Sequence, residues 1–557
     1  MVSTSSLERT PLLATNGQEV AHDIDGTHGG SALDGIAIHR GEANANGESY
    51  DNVPKGKRQL GLFSAAFLIF NRVIGTGIYA TPSSILKSAG SVGVALSMWL
   101  VGALIAACGT AVYIELGTGL PRSGGEKNYL EYIYRRPKFL VTCTFTAYTL
   151  IMGTATANSV VFSEYILHSL SIEPTWFHTR LTAFSCLTFV CIVHGSLLKW
   201  GLRLQNALGM LKLVVLALIS ISGLLCLAGF RDVQVGDEYE KPENFNSWEN
   251  LWKGSGTGAN AFVSGLYNVI WSFIGYSNAN YALSEVRDPV RTIRRAAPLA
   301  MFSVSAVYLF INIAYFAVVS KTDILESRRI VAALYFRNLF GPATERALSA
   351  FIALSTLGNL LAGQFSQGRV IQELGREGIL PYASWFASNK PFGAPLAGLF
   401  TQYLVSCTFL FAVPPGDAYL FLISLSSYSL SLINTAVALG LILLYTRSYR
   451  IWDWNPPFHA PKIIVLLFLI SNLFLVLVPF FPPILGSRTY ERLPYWSHSV
   501  GGFAVSFFGL AYWYIWAIWR PKAKGYRLER EWVLQSDGVS RFAFRKVSLT
   551  AAEESAE

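Results

Sequence analysis

Two stretches of this 557-residue chain carry residues whose type and spacing suit a small charged ligand. Residues 73–82 read VIGTGIYATP, so Gly75, Thr76 and Gly77 interrupt an apolar run and Pro82 follows one turn later. In lipid, each backbone N–H or C=O left outside a helical ladder costs several kcal/mol unless protein, water or ligand satisfies it. Glycines at such a break leave main chain bare. Unwound turns offer N–H groups at a positive dipole end, which suit a carboxylate, and freed carbonyls, which suit an ammonium. A zwitterionic amino acid carries both. The same residues also fit a plainer role, as a small-residue pair that lets helices approach or as a proline-type kink. The second stretch, Trp271-Ser272-Phe273-Ile274-Gly275-Tyr276-Ser277-Asn278-Ala279-Asn280, again places glycine and amides in mid-run, where buried amides must be hydrogen-bonded.

Other chemistry-bearing groups are sparse. Lys212 lies inside a fifth apolar run, and a lysine at a helix centre costs about 2.5–3.5 kcal/mol on insertion scales. It must pair, face a cavity, or snorkel to the interface along its own stem. Glu164, near the end of a third run, titrates as a proton carrier if buried; its place within a turn of the interface favours a solvated carboxylate. Glu115 closes the second run and reads as a structural group pairing with the basic loop that follows. Asn359, Gln364, Ser366, Gln367 and Asn434 are helical-face polar residues that line a cavity or bond across helices. The eight histidines are dispersed, and His194 has no Cys, Asp or Glu at ligand spacing. No catalytic group, metal or cofactor is expected, and no Gly-rich phosphate loop points to ATP drive.

The elements that must position these residues follow from composition. With 52% hydrophobic and 14% charged residues and 36 Phe, the chain is a multi-spanning membrane protein. The net charge of +9 then encodes orientation, and no basic stripe with interleaved aromatics points to nucleic acid. The six cysteines all fall inside apolar runs, where they act as small hydrophobes. Runs long enough to cross about 30 Å lie near residues 61–86, 92–118, 139–168, 180–197, 205–230, 260–284, 297–320, 345–371, 395–413, 418–446, 462–483 and 500–519. The fold class is therefore all-α with about twelve transmembrane helices. Breaks in spans one and six, four spans apart, fit a 5+5 inverted repeat with discontinuous helices 1 and 6 plus two extra helices. Basic clusters alternate onto one side: Lys55, Lys57 and Arg58, then Arg122 to Lys138, Lys199 and Arg203, Arg287 to Arg295, and Arg447 and Arg450. Both termini are placed in the cytosol by this bias. Residues 1–58 are too polar to bury a core and read as a disordered cytosolic tail, 59–520 as the transporter domain, and 521–557 as a cytosolic C-terminal tail. Glu8 to Leu13 resembles an acidic dileucine sorting signal.

Several motifs in order carry a family resemblance. Gly75-Thr76-Gly77-Ile78-Tyr79, AVYIELG at 111–117, Ser123-Gly124-Gly125-Glu126, Leu266-Tyr267-Asn268, Glu285 to Pro289 and Arg376 to Pro381 resemble the L-type amino acid transporters of the amino acid–polyamine–organocation superfamily. The tails and loops look most like its fungal methionine-permease branch. The resemblance implies alternating access around spans one and six. Amides around Thr76, Gly77 and Ile78, with Gly75 at the break, would hold the substrate carboxylate. Carbonyls near Ile74 and near Trp271, Ser272 and Ile274, beside Gly275, would take the ammonium, with Trp271 as an aromatic gate. Ile274 stands where relatives carry glycine, which would reshape the pocket. Lys212 would occupy the place of a sodium ion, which argues for proton coupling or exchange. The loop from His168 to Thr179 lacks the cysteine through which mammalian relatives bond a heavy subunit, so no disulfide-linked partner is expected. The implied activity is secondary import of neutral L-amino acids, methionine favoured; the alternatives are a vacuolar exporter or exchanger on the same fold, or a non-transporting sensor. Plasma membrane is the expected address and vacuolar membrane the alternative. Gly77→Val is expected to block the carboxylate while leaving the fold nearly intact.

Overall fold

The computed structural model describes residues 61–121, 124–228, 242–255, 258–327, 329–414, 416–446, 454–482, 490–534 and 540–548. The Glu8–Leu13 signal, the N-terminal tail and the basic residues Lys55, Lys57, Arg58, Arg122, Arg447 and Arg450 lie outside them. Among the described residues, ten helices are long and apolar enough to cross a membrane: Leu62–Ala80, Val92–Gly119, Leu140–Ser169, Trp176–Ser196, Leu198–Leu227, Pro289–Val318, Pro342–Arg376, Ala418–Leu444, Lys462–Phe480 and Ser497–Lys524. Two shorter apolar helices, Ala259–Phe273 and Leu396–Ala412, take the sixth and ninth places in the order. Below, spans are numbered one to twelve in this order.

Local chemistry sets several of the boundaries. Gly90 ends the helix Pro82–Ala89, which follows the first span, in the left-handed region at φ 75°, and the Ser91 hydroxyl accepts from the Val94 amide at 3.3 Å to start the second span. Pro82 and Pro289 each sit at the first turn of a helix, where a missing N–H costs nothing. Span two packs on span seven, span three on spans eight and twelve, and span five on spans seven and eight. Large apolar side chains such as Phe302, Phe507 and Val214 remain exposed on the outer faces, as a bilayer-facing surface requires.

Three features differ from the sequence reading. Span three is not continuous: it stops at Met152 and resumes at Thr156. Span nine supplies the missing partners there, since the Ala155 amide donates to the Ser406 hydroxyl at 3.0 Å and the Thr156 hydroxyl to the Ser406 carbonyl at 2.8 Å. The loop between spans seven and eight folds into two helices, Lys321–Glu326 and Val331–Phe340. The C-terminal stretch read as a tail contains an antiparallel hairpin, β1 (Tyr526–Leu534) with β2 (Ser540–Ser548). It packs back on the bundle: the Phe544 amide donates to the Glu377 carbonyl at 2.8 Å, and Arg530 pairs with Glu131 at 2.9 Å between the rings of Phe139 and Phe544.

Candidate functional site

Span one leaves helical geometry after Val73 and regains it at Gly77. The last backbone bond before the gap runs from the Ile74 amide to Phe70, and the next are accepted by Thr76 and Gly77. The amides of Gly75, Thr76 and Gly77 therefore have no backbone acceptor among the described residues. The freed carbonyls, by contrast, are taken by protein. Lys212 Nζ donates to the Ile74 carbonyl at 2.6 Å and lies 3.4 and 3.3 Å from the Asn71 carbonyl and Asn71 Oδ1. Only 2% of Lys212 is exposed, so it does not snorkel. Its ammonium caps the negative end of the first half-helix.

Span six breaks after Phe273. Gly275 takes φ +118°, a conformation that side chains rarely adopt, and the chain continues as a 3₁₀ helix, Asn278–Glu285. Tyr308 of span seven joins the two breaks: its hydroxyl lies 2.9 Å from the Val73 carbonyl and 2.8 Å from the Ser272 carbonyl. Glu126, in the short helix Glu126–Ile133 after span two, accepts from the hydroxyls of Ser277 and Tyr281 and anchors the far side of the second break.

Between the breaks lies a cavity of about 190 Å³. Gly75, Thr76 and Gly77 line it from span one, Trp271, Ser272 and Ile274 from span six, and Met152 to Ala155 from the break in span three. Asn359, Gly363 and Gln367 of span eight and Leu422 and Ser426 of span ten add to the wall. Of the residues expected at the site, Ile74, Ile78, Gly275 and Lys212 do not line the cavity. The Ile74 carbonyl is occupied by Lys212, the Ile78 side chain is fully buried, and Gly275 packs against Arg72. The sequence reading passed over Arg72 and Asn158, both of which line the cavity. Asn158 accepts from the Thr76 hydroxyl at 2.5 Å. Arg72 had a legible signal, a full charge inside an apolar run; Asn158 had none beyond being an amide in a helix.

The reason for Gly77 also changes. A Cβ there would lie 2.3 Å from Ser272 Oγ and 3.0 Å from Ser272 Cα, so spans one and six touch at this glycine. Gly77→Val cannot spare the fold as expected, because the clash is between two spans before any ligand arrives. A Cβ at Gly75 would meet only the end of the Asn359 side chain, at 2.8 Å.

Two carboxylates have partners other than those expected. Glu164 is partly buried and bidentate to Arg329, with Arg329 Nε at 2.6 Å from Oε2, because the loop between spans seven and eight folds back over the end of span three. Arg329 also lies 4.9 Å from the Tyr419 ring centre, and Tyr419 meets Trp271 of the cavity wall edge-on at 6.1 Å. Glu115 takes Tyr445 Oη at 2.6 Å, Trp454 Nε1 at 3.0 Å and the Ala460 amide at 2.8 Å. Its partners thus come from the end of span ten and the segment before span eleven, not from the basic loop after span two. Asn434 bonds across helices to Tyr113 and Tyr276 at 3.1 and 3.3 Å. His194 is buried against Phe365 without a hydrogen bond, and no cluster of three or more metal-ligating side chains occurs among the described residues.

A bundle of apolar spans, three of them broken beside a shared cavity, is the architecture of a membrane permease. The match to the amino acid permease family model runs over residues 60–505, and the chain belongs to that family. It is 43% identical over 496 residues to the high-affinity methionine permease of Saccharomyces cerevisiae, covering 88% of this chain and 85% of the relative. Identity to the low-affinity methionine permease of the same yeast is 30% over 492 residues, 87% of each chain. The human b(0,+)-type amino acid transporter 1 is 29% identical over 445 residues, 78% of this chain and 85% of the relative. The chain is a multi-pass integral membrane transporter, not an enzyme.

Proposed function

We propose that this protein imports neutral L-amino acids, methionine favoured, across the plasma membrane in company with protons. The observation that carries the reading is the set of amides at Gly75, Thr76 and Gly77, without a backbone acceptor among the described residues, on the wall of a cavity that Trp271, Met152, Asn158, Asn359 and Gln367 also line. These amides suit the substrate carboxylate, and the break in span six suits its ammonium. Met152, Leu360 and Leu422 on the cavity wall suit a thioether side chain, in keeping with the two yeast relatives named as methionine permeases. Lys212, held on the Ile74 carbonyl, places an amine where sodium-driven relatives of this fold would need an ion, which favours protons as the driving species. The bias of Lys and Arg toward alternate short loops supports both termini in the cytosol. No disulfide-linked heavy subunit is proposed, since residues 168–179 contain no cysteine.

The test is uptake of labelled methionine in cells lacking their own permeases, competed by each other amino acid and repeated across external pH. Saturable accumulation, strongest at acid pH and competed by neutral amino acids, is the expected result. Ligand binding without accumulation would overturn transport, and pH-independent exchange would overturn proton coupling.

A further inference from the structure

Arg72 has no role in the reading above, yet its guanidinium is the sole full charge on the cavity wall among the described residues. It sits in the last turn of the first half-helix, three residues before Gly75. Its side chain runs across the floor of the cavity. A Cβ at Gly275 of span six would stand 2.7 Å from Arg72 Cγ, and a Cβ at Gly363 of span eight would stand 3.2 Å from Arg72 Nη1. Two glycines from two other spans thus leave room for this one side chain. No Asp or Glu lines the cavity, and no ion pair among the described residues engages Arg72. The carboxylates of Glu126 and Glu164 are held by partners of their own.

Resting on the assignment of this cavity to an amino acid, we propose that Arg72 is the specificity-determining residue that keeps cationic amino acids out. An arginine stays charged under all physiological conditions and needs no partner to do so. A substrate held by its carboxylate at Gly75 to Gly77 must place its side chain in the same cavity of about 190 Å³. Lysine or arginine would bring a second positive charge into that small, weakly screened volume, where like charges repel strongly. A neutral side chain meets no such penalty. The fixed charge therefore rejects one substrate class without any steric block.

The experiment measures uptake of labelled lysine and methionine by the full-length protein and its variants, normalised to folded protein by size-exclusion of a fluorescent fusion. Arg72→Gln should raise the lysine-to-methionine uptake ratio by about tenfold or more. Gln367→Glu should do the same by a different route. It places a carboxylate one turn beyond Gly363, on the cavity wall, where it can neutralise the guanidinium. Arg72→Lys keeps the charge and should keep the rejection. If Arg72→Gln does not fold, Gln367→Glu decides alone. A folded charge-neutralised variant whose lysine-to-methionine ratio stays at the wild-type value, or which transports neither, overturns the proposal. Failure of the wild-type protein to take up any amino acid would instead remove the assignment of the cavity itself.

Discussion

The breaks in spans one and six share a purpose in the bundle but are held open by different forces. In span one the first half-helix ends against a charge: Lys212 of span five sits on the Ile74 carbonyl, and helical geometry returns within three residues. In span six the freed Ser272 carbonyl is taken instead by a neutral group, the Tyr308 hydroxyl. Gly275 turns the chain, Ser277 is tied to Glu126, Asn280 accepts from Tyr129 at 3.0 Å, and the helix that follows is 3₁₀. A charge-capped end recovers quickly because the dipole is compensated where it stops. An end capped by hydrogen-bonded side chains recovers poorly, and 3₁₀ geometry is the weaker ladder that marks a hinge. By this contrast the first break is expected to hold its shape and the second to act as the hinge.

Mutations can break or sharpen that contrast. The largest effect is expected from Gly77→Val, which forces spans one and six apart at Ser272. Overpacking of this kind costs about 1–3 kcal/mol, so uptake should be lost and thermal unfolding of the detergent-solubilised protein should come earlier. Lost uptake at unchanged stability would mean that the glycine serves the ligand after all. Next is Lys212→Met, which leaves the Ile74 and Asn71 carbonyls unpaired. A hydrogen bond to a charged group is worth about 1.5–3 kcal/mol, so uptake should fall roughly 10- to 100-fold. A variant with normal rate and pH dependence would remove the charge-capped account of span one.

Tyr308→Phe tests both breaks together, because one hydroxyl serves the Val73 and Ser272 carbonyls. A loss of about 1–2 kcal/mol in stability is expected, together with faster hydrogen exchange at both breaks. Exchange rising only in span six would show that Lys212 alone suffices for span one. The smallest effect belongs to Thr76→Val, which removes the bond to Asn158 at a cost of about 1 kcal/mol. Methionine affinity should weaken several-fold with the maximal rate little changed; a larger fall in rate than in affinity would place Thr76 in the moving part.

The sequence by itself determined that this is a bundle of about twelve spans with glycine breaks in the first and sixth, because apolar run length and a Gly-Thr-Gly interruption are local properties of the chain. It also picked out Lys212, since a charge in an apolar run is costly wherever the run is packed. It did not reveal the break in span three: Gly153 and Thr154 look like ordinary helix residues until Ser406 of span nine arrives to take the freed groups. Nor did it reveal that Glu164 is paired, because Arg329 lies 165 residues away and meets it only when a loop folds back. Whether Gly77 faces a ligand or a neighbouring span, and whether Arg72 points at lipid, water or the cavity, depends on how helices distant in sequence are brought side by side. Burial and partner choice are properties of that packing, and only the tertiary structure decided them.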